Sequence, residues 1–139
     1  MKSQVVPRVI ARMLIPFMFI FGFYVISHGE HGPGGGFQGG VILAAGVILH
    51  ALIHGLPETQ RALPRAWVDR IMAFGTLLYI SVGLLGFFAG KAFLDYRAIS
   101  NDNHAEAWGM TLVETGVGFT VAAVMVTLFD KFATATTRR

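Results

Sequence analysis

The chain has no cysteine, which excludes a disulfide framework, a thiolate metal site and a cysteine nucleophile. It is also poor in charge. Asp, Glu, Lys and Arg make up 14% of its 139 residues, against roughly a quarter in soluble domains. The few charges are missing from whole stretches. None stands between Met13 and Ser27, between His31 and Pro57, or between Ile71 and Gly90, and Glu114 alone interrupts the run from Ala107 to Phe129. No serine–histidine–acid set and no pair of carboxylates suited to acid–base work can be read from the chain, so nothing points to an enzyme acting by itself.

What fills those stretches is apolar. Hydrophobic residues are 54% of the chain and the mean hydropathy is +0.60. A bilayer core takes roughly 20 mainly apolar residues per helix. The pattern predicts an all-α polytopic membrane protein, one domain over residues 1–139, with transmembrane helices at about 9–27, 36–54, 71–92 and 108–129. The first stretch has the basic flank of a signal peptide, Lys2, Arg8 and Arg12. It is followed by His28-Gly29-Glu30-His31 rather than a small-x-small cleavage site, so it is expected to be retained as a helix. Pro16 predicts a kink in it.

The basic residues set the expected orientation. Lys2, Arg8 and Arg12 precede the first span, Arg61, Arg65 and Arg70 lie between the second and third, and Lys131, Arg138 and Arg139 follow the last. Nine of eleven thus fall on one side, with Lys91 and Arg97 on the other. The positive-inside rule places both termini of this multi-pass chain in the cytoplasm. The isoelectric point near 9.7 therefore calls for no nucleic acid. Trp67, Trp108 and Tyr96 fall near the expected interfaces, where aromatic anchors are common.

Glycine is abundant. The run from His31 to Gly40 holds six, whereas a turn needs one or two. No Lys-Ser or Lys-Thr follows it, so it is not a phosphate-binding loop of the Walker type. Pro33 suits the start of a helix. At helical spacing Gly36, Gly39, Gly40, Gly46, His50 and His54 share one side of the second helix. Small residues there let another helix approach closely. Gly83, Gly86 and Gly90, with Tyr79, form a stripe on the third helix, and Gly116 and Gly118 lie on the fourth. Close packing is expected within the chain and against other chains.

Few residues are left to carry chemistry. Glu114 is expected about two turns into the last helix from the outer side, where an ionisable carboxylate is a functional-site hypothesis by default. The plain alternative is an interfacial glutamate hydrogen-bonded to Thr111 or Thr115. His50 and His54 have the i,i+4 spacing that can offer two imidazoles to a metal. No third ligand is evident, so no metal site is expected, and His50 is instead a candidate proton relay. His28, Glu30 and His31 read as a solvated polar turn.

The segment His28-Gly29-Glu30-His31-Gly32-Pro33-Gly34-Gly35-Gly36-Phe37-Gln38-Gly39-Gly40, between a first helix and a second apolar one, resembles the MrpB (MnhB) subunit of Mrp-type sodium/proton antiporters. Glu114-Thr115-Gly116-Val117-Gly118 is similar to that family's acidic-x-Gly-Val segment in the last helix. The likeness spans essentially the whole chain. It departs at Glu30-His31, where an Asn is expected after the His-Gly step. The resemblance implies a subunit of a large Mrp-type complex whose partners include complex-I-like antiporter subunits. It also implies Na+ and H+ as transported ions and no cofactor. Glu114, His50, Thr111 and Thr115 are then candidates for the ion path. Pro33, Gly34, Gly35, Gly36, Phe37, Gly39, Gly40, Gly116 and Gly118 form the motif and packing set. MrpB-like subunits also occur in ion-pumping membrane-bound hydrogenases, which is the alternative setting. Two further readings are a purely structural subunit and a self-sufficient small homo-oligomeric transporter; the small multidrug exporters place their glutamate in the first helix, and this first helix has none.

Overall fold

A computed structural model describes residues 5–29, 34–88, 90, 92–94 and 103–137. Five helices are formed among them: α1 (Val5–Ser27), α2 (Gly36–His54), α3 (Leu56–Ala62), α4 (Arg65–Phe88) and α5 (Asn103–Thr137). Four of these are long and apolar enough to cross a membrane, the apolar part of α5 running from Ala107 to Thr136. Pro33, Glu30 and His31, and the loop residues Lys91, Asp95, Tyr96, Arg97 and Asp102, lie outside the described residues.

Several elements differ from expectation. The loop after α2 contains a helix of its own. Gly55 at φ +97° leaves the helical region and ends α2, and Pro57 stands in the first turn of α3, where its missing N–H costs nothing. Pro64 then forces its predecessor out of the α region; Leu63 sits at φ −129°, ψ 85°. The Pro64 carbonyl accepts from Trp67 N–H at 2.9 Å and Val68 N–H at 3.3 Å, so α4 begins six residues before the expected 71 and also ends earlier, at Phe88. The helix α5 likewise runs well past both ends of 108–129. Hydropathy marks the part of a helix that lies in lipid, while backbone hydrogen bonding continues into polar turns. Despite Pro16, α1 is one continuous helix.

The helices pack in the spatial order α1, α2, α5, α4, with α3 against α2. Each neighbouring pair closes on glycine. Between α1 and α2, a Cβ on Gly22 would come within 2.8 Å of Leu43 and one on Gly39 within 2.7 Å of the Gly22 carbonyl. Between α2 and α5, a Cβ on Gly40 would stand 2.5 Å from the Gly118 carbonyl. Between α5 and α4, a Cβ on Gly116 would stand 2.8 Å from the Gly75 carbonyl. The buried apolar residues are correspondingly small, with Ala11, Ala44, Ala51 and Ala123 among them. Lipid tails are as apolar as leucine, so helices in a bilayer associate through close backbone packing rather than burial of large side chains.

The expected glycine stripes are therefore divided. Gly36 and Gly40 face α5, whereas Gly39 and Gly46 face α1. On α4 the residue that meets α5 is Gly75, not the stripe from Gly83 to Gly90. A Cβ on Gly83 would strike the Phe93 ring, and Gly90 lies in a turn at φ +72° with open space around it. Large apolar side chains point outward from α1 and α4, including Met13, Phe17, Phe74, Leu77 and Phe88, as suits surfaces facing lipid or other subunits.

Candidate functional site

Gly29, Gly35 and Gly36 come together with Glu114. A Cβ on Gly29 would overlap both carboxylate oxygens of Glu114, and one on Gly35 would lie 3.2 Å from Oε1. A Cβ on Gly36 would run into the Glu114 backbone carbonyl. The carboxylate thus stands between the end of α1 and the start of α2, in space that exists because three residues lack side chains. Gly35 is fixed as glycine twice over, since its φ of +124° is a conformation that L side chains rarely adopt.

Gly35 is the N-cap of α2 and supplies no side-chain cap. The first N–H groups of a helix have no intrahelical acceptor, and that end carries partial positive charge. Glu114 brings a carboxylate from another helix to this position. Eleven residues separate it from the start of α5 at Asn103, roughly 16 Å at the helical rise. Gly29 and Gly35 therefore meet α5 well below the beginning of that helix.

Thr111 and Thr115 bond to the backbone of their own helix. Thr111 Oγ1 donates to the Ala107 carbonyl at 3.0 Å and Thr115 Oγ1 to the Thr111 carbonyl at 2.7 Å. Thr120 and Thr127 bond in the same way. A hydroxyl in an apolar medium needs an acceptor, and the carbonyl four residues back is the nearest. Of the motif residues, Gly34 packs near Val25, Gly116 faces α4, Gly118 faces Ile26 and Gly36, and Phe37 projects outward at 65% exposure.

A second polar group lies at the other end of α2. His50 Nδ1 is 2.7 Å from Thr59 Oγ1, and Thr59 Oγ1 is 3.2 Å from the Gly55 carbonyl. A threonine has one proton; when it goes to Gly55, His50 Nδ1 is the donor and Nε2 keeps its lone pair. His54 Nδ1 donates to the His50 carbonyl at 3.3 Å, and the two rings stack at 4.4 Å. Among the described residues these histidines join no cluster of three possible metal ligands.

Sequence reasoning missed Asp130. It is buried, accepts from Gln60 Nε2 at 2.6 Å and pairs with Arg65. This clasp ties α3 and the start of α4 to α5. The one signal available was an acid just past the last apolar run, which reads equally well as an ordinary solvated helix end. Asp130→Ala leaves Gln60 without its charged acceptor and should cost about 1.5–3 kcal/mol. The expected readout is a lower thermal midpoint of the purified complex, with faster proteolysis near Arg61.

Between the two polar ends the chain is apolar. Side chains of α1, α2, α4 and α5 line an open apolar groove, with His50 and Thr59 at one end. Glu114 and His50 lie about 21 Å apart along the helix axes, from the fourteen residues between Gly36 and His50 at the helical rise.

Residues 6–127 match a family model described as a domain related to the MnhB subunit of Na+/H+ antiporter. The chain is 32% identical over 132 residues to a Staphylococcus epidermidis protein named "Putative antiporter subunit mnhB2", covering 91% of this chain and 92% of that one. Proteins of the same name from two Staphylococcus aureus strains are 32% and 33% identical, with the same coverage.

Proposed function

We propose, from the premise that this chain belongs to the MnhB family of Na+/H+ antiporter subunits, that Glu114 and the glycine turn form its contribution to the ion route. The chain is a small membrane subunit of a multisubunit Na+/H+ antiporter. The observation that carries the proposal is the enclosure of the Glu114 carboxylate by Gly29 and Gly35. A carboxylate in a membrane-spanning helix is costly, and tends to be kept where it binds or passes ions.

The apolar stretch between Glu114 and His50 limits what this chain does alone. A proton or cation cannot be handed across about 21 Å of apolar wall without polar relays. Other subunits therefore supply the intervening path, and the large antiporter-like subunits are the proposed partners. This favours a shared route over a self-sufficient small transporter. Glu114→Gln in the assembled complex tests the reading, with antiport measured in everted vesicles.

Both termini are placed in the cytoplasm under this reading. The chain has no cysteine, so single cysteines can report sidedness directly. In intact cells a membrane-impermeant maleimide should label His28→Cys and leave Thr136→Cys unlabelled until the cells are opened. Labelling in the reverse order would invert the topology.

A further inference from the structure

Thr59, in the corner between α2 and α3, is a polar side chain with only 8% of its surface exposed. A hydroxyl so placed needs partners. It has two, the Gly55 carbonyl at 3.2 Å and His50 Nδ1 at 2.7 Å. One hydroxyl proton cannot serve both. If it went to His50, the contact with Gly55 would hold no proton. With the hydroxyl proton on the Gly55 carbonyl and a second proton on His50 Nδ1, both contacts are hydrogen bonds. The arrangement with more bonds sets the tautomer, and it leaves Nε2 as the lone pair of a neutral His50.

This arrangement survives protonation. A proton delivered by hydronium forms an N–H bond at Nε2 and releases water. The Nδ1–H stays on Thr59, the Thr59 proton stays on Gly55, and no other bond has to break or turn. Gln60, the next residue of α3, donates to Asp130 of α5 at 2.6 Å, which holds the short helix where Thr59 meets His50. The imidazole is half-buried and lines the open groove. The titratable groups that face it are His54, stacked on it, and Glu58 of α3. The α1, α4 and α5 side chains that line the groove with it are all apolar. Glu58 supplies a negative charge to a ring that becomes positive.

We infer that His50 is a proton-exchange site of this subunit, distinct from Glu114, and that Thr59 is its positioning residue, holding Nδ1–H so that Nε2 takes up and releases the proton. The seven-residue helix α3 then does more than join two spans. Neither residue belongs to the Glu114 site, so the two assignments can fail separately.

The test uses the purified complex in lipid, carrying isotope-labelled histidine, with NMR shifts that distinguish the two neutral tautomers from the imidazolium. The His50 signals are those lost in His50→Gln. Wild type should hold Nδ1–H at about pH 9 and convert to the imidazolium as the pH falls toward about 5. Thr59→Val keeps the shape of the side chain and removes the acceptor. It should lower the ratio of Nδ1–H to Nε2–H at least about fivefold, the value of one net hydrogen bond, while Thr59→Ser holds the wild-type ratio. His54, whose Nδ1 bonds to the His50 carbonyl of its own helix, should keep its tautomer throughout. Glu114→Gln should leave the His50 signals unchanged, and His50→Gln should lose most antiport in vesicles. A wild-type His50 in the Nε2–H form, or one still neutral at about pH 5, would overturn the inference. So would an unchanged ratio in Thr59→Val, an equal change at His54, or full antiport by a native-sized complex carrying His50→Gln.

Discussion

Glu114→Gln should abolish most Na+-driven proton movement by the complex while leaving its mass and subunit composition unchanged. Glutamine keeps the shape of the side chain, so the contacts with Gly29 and Gly35 survive and α5 still packs on α2. What is lost is the ionisable carboxyl group at the start of α2, and with it the proton-for-cation exchange that the proposed ion route assigns to it. A lost charge interaction of even 1.4 kcal/mol is about tenfold in occupancy, so antiport should fall by roughly tenfold or more. Glu114→Asp, which keeps the charge on a shorter arm, should fall between glutamine and wild type. Loss of assembly in the glutamine variant would instead assign the residue to packing.

The second large effect concerns the chain's own fold. Gly36→Leu should prevent α2 from docking on α5 and leave little assembled chain in the membrane. Already its Cβ would meet the backbone carbonyl of Glu114, which cannot rotate away as a side chain could. Overpacking of this kind costs about 1–3 kcal/mol when neighbours can adjust, and more here because the neighbour is helical backbone. Gly46→Ala is the contrast on the same helix. Its Cβ would find Phe19 at 3.6 Å and Met18 at 3.8 Å, ordinary contact distances, while alanine is favoured over glycine in a helix by about 0.5–1 kcal/mol. Gly46→Ala should therefore assemble at least as well as wild type, measured as subunit abundance and thermal midpoint. Gly39, approached by the Gly22 carbonyl at 2.7 Å, should behave like Gly36. A large residue there breaks the α1–α2 hairpin before any other subunit is involved.

The parts legible in the sequence were those set by composition over long stretches. Four spans follow from charge-free runs, and the ends of α1 and α2 were placed well, at Ser27 and His54, because Gly and polar residues follow them. The helix α3 was not legible. Seven residues cannot show a hydrophobic period, and its limits depend on Gly55 and Pro64 acting locally. The glycines were legible as a packing device, but not their allocation. Residues 36, 39 and 40 point toward similar sides of α2, and whether each meets α1 or α5 depends on how three helices are arranged. The Glu114 site was legible in its two halves. The segments 28–40 and 114–118 could each be singled out, yet only the fold brings Gly29 and Gly35 to the carboxylate. Asp130 was invisible because its burial depends on Gln60 and Arg65, far away in sequence.

The most direct measurement is antiport by a complex carrying Gly29→Ala with Glu114 intact. Gly29 does not have a positive φ, so alanine brings no backbone strain; it brings only a methyl group where the carboxylate lies. If the turn and Glu114 form one ion-handling site, the assembled complex should lose most of its antiport. Shortening the acid in the same chain, as Gly29→Ala/Glu114→Asp, should then recover part of it. Wild-type antiport by Gly29→Ala in a native-sized complex would contradict the site.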